Sequence, residues 1–156
     1  MGWEGRLEHV FIAERASVEM EEMHRAVLIA GLGIDGDRYA TGRGKYSPEP
    51  HPDRQVTLIE AETLDALRRD HTVHLSPEET RRNLTVRGVP LNHLVGRHFL
   101  VGDVLLYGGR LNTPCKYLDE LLGKELFSLL LNRSGLNCRI IRGGVIVPGG
   151  LIRRAD

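Results

Sequence analysis

The sequence predicts an α+β domain built on a strongly bent sheet or barrel, and three observations carry this. Short apolar runs of strand length recur along the chain, most of them bounded by glycine or proline. Three or four helical patterns lie between them. Strands and helices do not alternate regularly, which argues against a doubly wound parallel sheet. A chain of 156 residues holds one domain with a substantial core and is too short for two ordinary ones. The expected organisation is one domain over residues 1–156, with no internal repeat and no linker.

Residues 7–13 (LEHVFIA) read as the first strand, with Glu8 and His9 facing solvent or a site. Residues 16–25 are acidic and carry Val18, Met20 and Met23; a loop and a short helix both fit. Residues 26–30 (AVLIA) fit a buried strand. The glycine- and proline-rich stretch over residues 31–53 is expected to be loop, and loops of that length are usually functional or mobile. Residues 55–59 (QVTLI) read as strand and 60–70 as helix, with Ala61, Leu64 and Leu67 on one side.

Ser76-Pro77-Glu78-Glu79 is a capping box with proline at the first helical position, so a short helix starts there. It must stop early, because residues 83–87 (NLTVR) read as strand closed by Gly88. Residues 91–95 lead into 98–107, a strand pair turning at Gly102-Asp103 and ending at Gly108-Gly109. After the helix that follows, residues 124–132 (KELFSLLLN) predict a second apolar helix, terminated by Ser134-Gly135. Residues 137–147 (NCRIIRGGVIV) are strand material broken by Gly143-Gly144, as at a tight turn or bulge. Pro148-Gly149-Gly150 and residues 151–154 finish the chain.

The chemistry concentrates in residues 110–123 (RLNTPCKYLDELLG). Thr113 offers an N-cap side chain, and Pro114 suits the first helical position. Leu118, Leu121 and Leu122 recur at helical spacing before Gly123 stops the helix. Cys115 is thereby placed in the first turn, with Lys116 beside it. Unpaired backbone N–H groups there favour an anion and lower a thiol's pKa. A reactive thiolate fits that position; so does a small buried hydrophobe.

Lys plus Arg equals Asp plus Glu at 21 each, so no global field advertises a nucleic-acid or membrane partner. The charges are segregated, however. Residues 80–102 contain four arginines and no acid, and residues 126–155 contain five arginines and no acid. The opening residues lack a signal-peptide pattern, and no apolar run reaches the ~18 residues of a membrane helix. A cytoplasmic location with reduced thiols is expected. Gly31-x-Gly33-x-x-Gly36 imitates a dinucleotide fingerprint, but no helical pattern begins at the glycines, and two acids in the loop, Asp35 and Asp37, would repel phosphate. Gly42-Arg43-Gly44-Lys45 lacks the spacing and the Ser or Thr of a phosphate loop. His71 and His74, three apart with no third ligand nearby, read as helix-end and turn residues.

Four separated pieces resemble one family in its order. They are Gly36-Asp37-Arg38-Tyr39; Arg81-Arg82-Asn83-Leu84-Thr85-Val86-Arg87-Gly88; Pro114-Cys115-Lys116-Tyr117-Leu118; and Arg133-x-Gly135-Leu136 followed by Gly143-Gly144. Around a single cysteine, this order and spacing resemble a MOSC domain, the molybdenum-cofactor sulfurase C-terminal-type domain, as a small stand-alone bacterial-type member. The resemblance implies a β-rich fold with a partly closed β-barrel and a few short helices. It also implies a molybdopterin-type molybdenum cofactor held beside the cysteine. Cys115 would be the catalytic residue, as metal ligand or as persulfide sulfur carrier. Arg81 and Asn83 would lie close to the cofactor, with Arg38 in a Gly-Asp-Arg element; Arg82, Thr113 and Lys116 join them as cofactor-binding candidates. Two positions depart from the pattern: Gly149-Gly150 stands where the family often has Gly-Asp, and Asn112 where relatives often carry a further cysteine.

The residues themselves suit that chemistry. A phosphate-bearing pterin is a large anion that needs cationic and backbone N–H donors in a cleft. Arg38, Arg54, Arg81, Arg82, Arg139 and Arg142 are available, and two or three are expected to converge. A thiolate suits a soft metal centre and can be converted to a persulfide. Cys138 is expected to be structural; close to Cys115 it would resolve an oxidised sulfur. The expected function is sulfur transfer, or the molybdenum-containing component of a reductase of N-hydroxylated small molecules. The reading leans towards an enzyme, with a small-molecule substrate and a redox or sulfur-donor protein as partners. No membrane or nucleic-acid partner is expected, and the oligomeric state stays open. Two other readings stand beside it. One is a non-catalytic barrel module binding an anion, RNA or a protein, for which three Phe and one Trp offer little base stacking. The other is metal-free thiol redox chemistry.

Overall fold

A computed structural model of the chain describes residues 2–45, 47–48 and 51–156. Seven strands close into a barrel: β1 (Glu4–Ile12), β5 (Val56–Glu60), β6 (Leu84–Arg87), β7 (His98–Val101), β8 (Val104–Leu111), β9 (Leu136–Arg142) and β11 (Leu151–Arg154). Around the ring the order is β11-β7-β8-β9-β5-β6-β1, and closure comes from β1 pairing antiparallel with β11, Gly5 opposite Ile152. A short β2 (Glu21–Glu22) pairs with the end of β1. Neighbours in the ring are antiparallel except β5 and β6, which run parallel, Leu58 opposite Leu84. Parallel neighbours need a crossover, and α2 (Ala61–His71) with the turn at Pro77–Thr80 supplies it. Beside the barrel, β3 (Ala26–Ile29), β4 (Gly33–Ile34) and β10 (Gly144–Ile146) form a three-stranded sheet. The α+β, β-rich expectation holds. No helix among the described residues is long and apolar enough to cross a membrane.

Inward-facing residues of both sheets, among them Leu58, Leu84, Phe99, Leu106 and Leu136, form one buried core. A satellite cluster of Leu67, Leu75, Leu118, Leu126 and Leu130 packs α2 against α3 (Lys116–Leu122) and the segment after it.

Several local expectations change. The strand predicted to end at Gly108 runs on to Leu111. The two glycines are there for close approach rather than termination. A side chain at Gly108 would collide with the Leu94 carbonyl, and one at Gly109 with the Asp53 carboxylate. Residues 124–132 form turns instead of a helix: the Asp119 carboxylate accepts the N–H groups of Leu126 (3.0 Å) and Phe127 (3.4 Å). Leu126 and Leu130 are buried all the same, so the apolar spacing served packing rather than a continuous helix. The predicted 31–53 loop contains β4, a one-turn α1 (Arg38–Thr41) capped by Asp37 and Gly42, and a turn at Pro52–Arg54. The part of that expectation resting on Tyr46, Glu49 and Pro50 lies outside the described residues. At Gly143-Gly144 the chain leaves the barrel, and β10 pairs with β3. His71 ends α2, as expected.

Candidate functional site

A cavity of about 330 Å³ opens where the end of β8, the Thr113–Cys115 connection and α3 face α1 and the Arg81-Arg82 corner. Cys115 lines it and is half-buried. The helix starts two positions later than predicted, so the thiol sits at its cap rather than inside its first turn. Cys115 itself is the N-cap residue, with extended backbone (φ −138°, ψ 159°), and the helix begins at Lys116. Pro114 is buried behind it, which fixes the approach of the chain.

The lining is strongly cationic. Arg38, Lys45, Arg54, Arg81, Arg82 and Arg110 all contribute, against one acid among the described residues, Asp119. That acid is already engaged by the backbone of Leu126 and Phe127. Such a surplus of positive charge in a concave site attracts an anion.

Arg81 is the centre of this surplus. Its backbone is left-handed at φ 60°, a strained region for a residue with a Cβ. Arg38 holds it there: Nη2 of Arg38 donates to the Arg81 carbonyl at 2.8 Å, while Nη1 pairs with buried Asp37 at 2.9 Å. Arg81 Nη1 donates to the Val18 carbonyl at 2.6 Å. Its Nη2 is buried, with no hydrogen-bond partner among the described residues. Burial, and then the neighbouring Arg38 charge, push the Arg81 guanidinium below its usual range. An anion at this point would answer both the repulsion and the unpaired donor.

Arg82 works as a clamp. It donates to the Thr80 carbonyl (3.1 Å), to the carbonyl and hydroxyl of Ser134 (both 2.9 Å) and to Asn112 Oδ1 (2.6 Å). Asn112 passes the network on to Asn137 at 3.0 Å. Three distant stretches of chain thus meet on one guanidinium. On the opposite rim the Tyr117 and Ser17 hydroxyls are 2.7 Å apart, and Lys45 lies over the Tyr117 ring at 5.3 Å.

Of the residues singled out in the sequence, Cys115, Arg38, Arg81, Arg82 and Thr113 line this cavity, as does Arg54. Asn83 sits behind the wall at 0% exposure, bonded to Thr57 and to the Phe11 carbonyl. Lys116 is exposed outside the lining. Arg139 and Arg142 turn elsewhere, to Asp53 and to the Asp103 carbonyl. Cys138 lies inside the barrel at 0% exposure, where burial and then the Asp53 charge push its thiol well up. Sequence alone assigns Lys45, Arg110, Asn112, Ser134 and Asn137 to no site: Lys45 lies in the Gly42-Arg43-Gly44-Lys45 imitation of a phosphate loop, and the others need the barrel to bring them together.

The family model of the MOSC domain matches residues 43–153. Among curated proteins none matches in sequence. Solved structures share the fold. YuaD from Bacillus subtilis superposes with a TM-score of 0.82 at 20% identity, over 100% of this chain and 99% of that one. YiiM from Geobacillus stearothermophilus gives 0.76 at 13% identity, over 97% of this chain and 75% of that one. YiiM from Escherichia coli gives 0.71 at 17% identity, over 100% and 70%.

Proposed function

This chain belongs to the MOSC-domain family, and from that premise we propose that its Cys115 cavity holds a molybdopterin-type cofactor, making the protein the molybdenum-containing component of a reductase of N-hydroxylated small molecules. Members of the family are associated with molybdenum-cofactor binding and with sulfur or reductase activity. The observation that carries the proposal is one thiol on the wall of a cavity with six cationic side chains and an unpaired Arg81 nitrogen. The described residues contain no group of three or more His, Cys, Asp or Glu able to hold a metal ion. A metal arriving here would therefore bring most of its ligands with it, as a pterin-borne metal does, and would find one soft sulfur donor.

Bound there, the cofactor would supply two-electron redox chemistry. Arg81, Lys45, Arg54 and Arg110 would neutralise its phosphate, while Arg38, Arg82 and Asn83 hold that wall in place. Cys115 Sγ would be the protein's donor to the metal, flanked by Thr113. Leu118, Phe127 and Leu130 would keep the thiol side dry. Lys116, outside the lining, would add to the field at the rim. The thiol's place in a cavity wall, beside buried Pro114, favours a fixed donor over an arm that delivers sulfur to other proteins. A reducing cytoplasm suits such a thiol.

Protein purified from a cofactor-competent host is expected to carry molybdenum and a fluorescent oxidised pterin. The Arg81→Gln variant should retain pterin about 10- to 100-fold more weakly, the worth of a charge-assisted contact. Wild-type protein without pterin or molybdenum, binding RNA in a salt-sensitive way indifferent to Cys115, would sink the proposal.

A further inference from the structure

We propose that two copies of this chain associate through the outer face of the three-stranded sheet β10-β3-β4. Strand β3 reads AVLI, and β10 reads GVI followed by Val147. Ala26, Leu28, Ile34 and Ile146 point inward and are buried in the core. The alternate positions should then be polar if that face met water, because a sheet with one wet face alternates apolar and polar residues. They are not. Val145 lies opposite Val27, which makes Ile29 its diagonal neighbour on the same outer face. Ile29 is 37% exposed, Val145 44% and Val147 48%.

Two further side chains extend the patch. Leu32, in the turn between β3 and β4, is 45% exposed, and Ile141 near the end of β9 is 46% exposed. The turn is tied to β9 by the Gly31 N–H donating to the Ile140 carbonyl at 3.2 Å. Strands apolar at successive positions are those covered on both sides.

Area and charge select a second copy as the cover. The five side chains offer roughly 350 Å² of apolar surface, within the range of patches that are often functional. Doubled, and taken as about two-thirds of a homodimer contact, this gives a total of about 1,100 Å², enough for a specific pair. Arg25 and Asp35 border the face with opposite charges, Asp35 donating its N–H to the Val27 carbonyl. With Arg142 next to Ile141, charges of both signs surround an apolar centre, which suits a second copy better than a partner of a single sign. A two-fold axis would set each apolar face on its own equivalent. Among the described residues β10 pairs with β3 alone.

Sedimentation velocity on the full chain tests this. Wild-type protein at tens of micromolar is expected to sediment as two copies. Val145→Glu and Ile29→Lys should each weaken association about a hundredfold or more, the cost of burying an unpaired charge at a contact centre. Neither residue lines the cavity, so retained pterin should not change. If either variant folds poorly by circular dichroism, Val147→Glu, beyond the last paired residue of β10, takes its place. A wild-type chain that stays single at 100 μM overturns the proposal. So does a pair that survives all three substitutions, or a single chain that uses this face only on vesicles of neutral lipid.

Discussion

Cys115→Ser protein is expected to fold like the wild type and to hold less than about a tenth of its molybdenum, with reductase activity at background. The substitution changes one atom on the cavity wall from a soft donor to a hard one. It does not threaten the fold. Cys115 makes no side-chain capping bond to α3, and serine is a better N-cap than cysteine, so the helix should keep or gain a few tenths of a kcal/mol. Loss of metal at an unchanged melting temperature therefore isolates the sulfur. Metal analysis and thermal unfolding on the same preparation decide it. Unchanged metal content and activity in Cys115→Ser would remove the thiol from the site. A variant that kept its pterin and molybdenum but lost cyanide-labile sulfur would point to sulfur carriage instead.

The largest effect on stability should come from Asp37→Asn, at about 3–5 kcal/mol destabilising. Asp37 has 0% exposure and accepts from Arg38 Nη1 (2.9 Å), the Ala13 N–H (3.0 Å) and the Tyr39 N–H (3.3 Å). Asparagine keeps the shape but removes the charge and turns one acceptor into a donor. Arg38, with its side chain 5% exposed, would then face Arg81 with no counter-charge. Urea unfolding at neutral pH measures the cost. Adding Arg38→Met should recover part of it, because the uncompensated charge is gone. A change below about 1 kcal/mol for Asp37→Asn would mean that water reaches the pair.

How far the sequence could lead depends on the distance over which each feature is encoded. Cys115, Gly123 and the Ser76–Glu79 capping box are local, and each is legible from a few neighbours; in the box the Glu79 carboxylate accepts from the Ser76 N–H at 3.0 Å and from its hydroxyl at 2.7 Å. The error of two positions at Cys115 came from reading Pro114 as the start of the helix, which begins at Lys116. The barrel itself was legible only as a class. Its closure joins Gly5 to Ile152, and its parallel pair joins β5 to β6 across a helix, pairings no local pattern announces. The same holds for Asn112, Ser134 and Asn137. Each is an ordinary polar residue until Arg82 and the end of β9 bring them together. Residues 124–132 misled because their apolar spacing is helical while Asp119 takes up the N–H groups that would open the helix.

The contrast between the two cysteines has a practical corollary. One sulfur borders a hollow that small molecules can enter, and the other is sealed at 0% exposure within the barrel wall. A maleimide dye offered to the native molecule therefore meets a single address, without any engineering, while the denatured chain presents two. Slower labelling would then report an occupant of the hollow that shields the thiol, and a mass spectrum counts the sealed partner only after the barrel has opened.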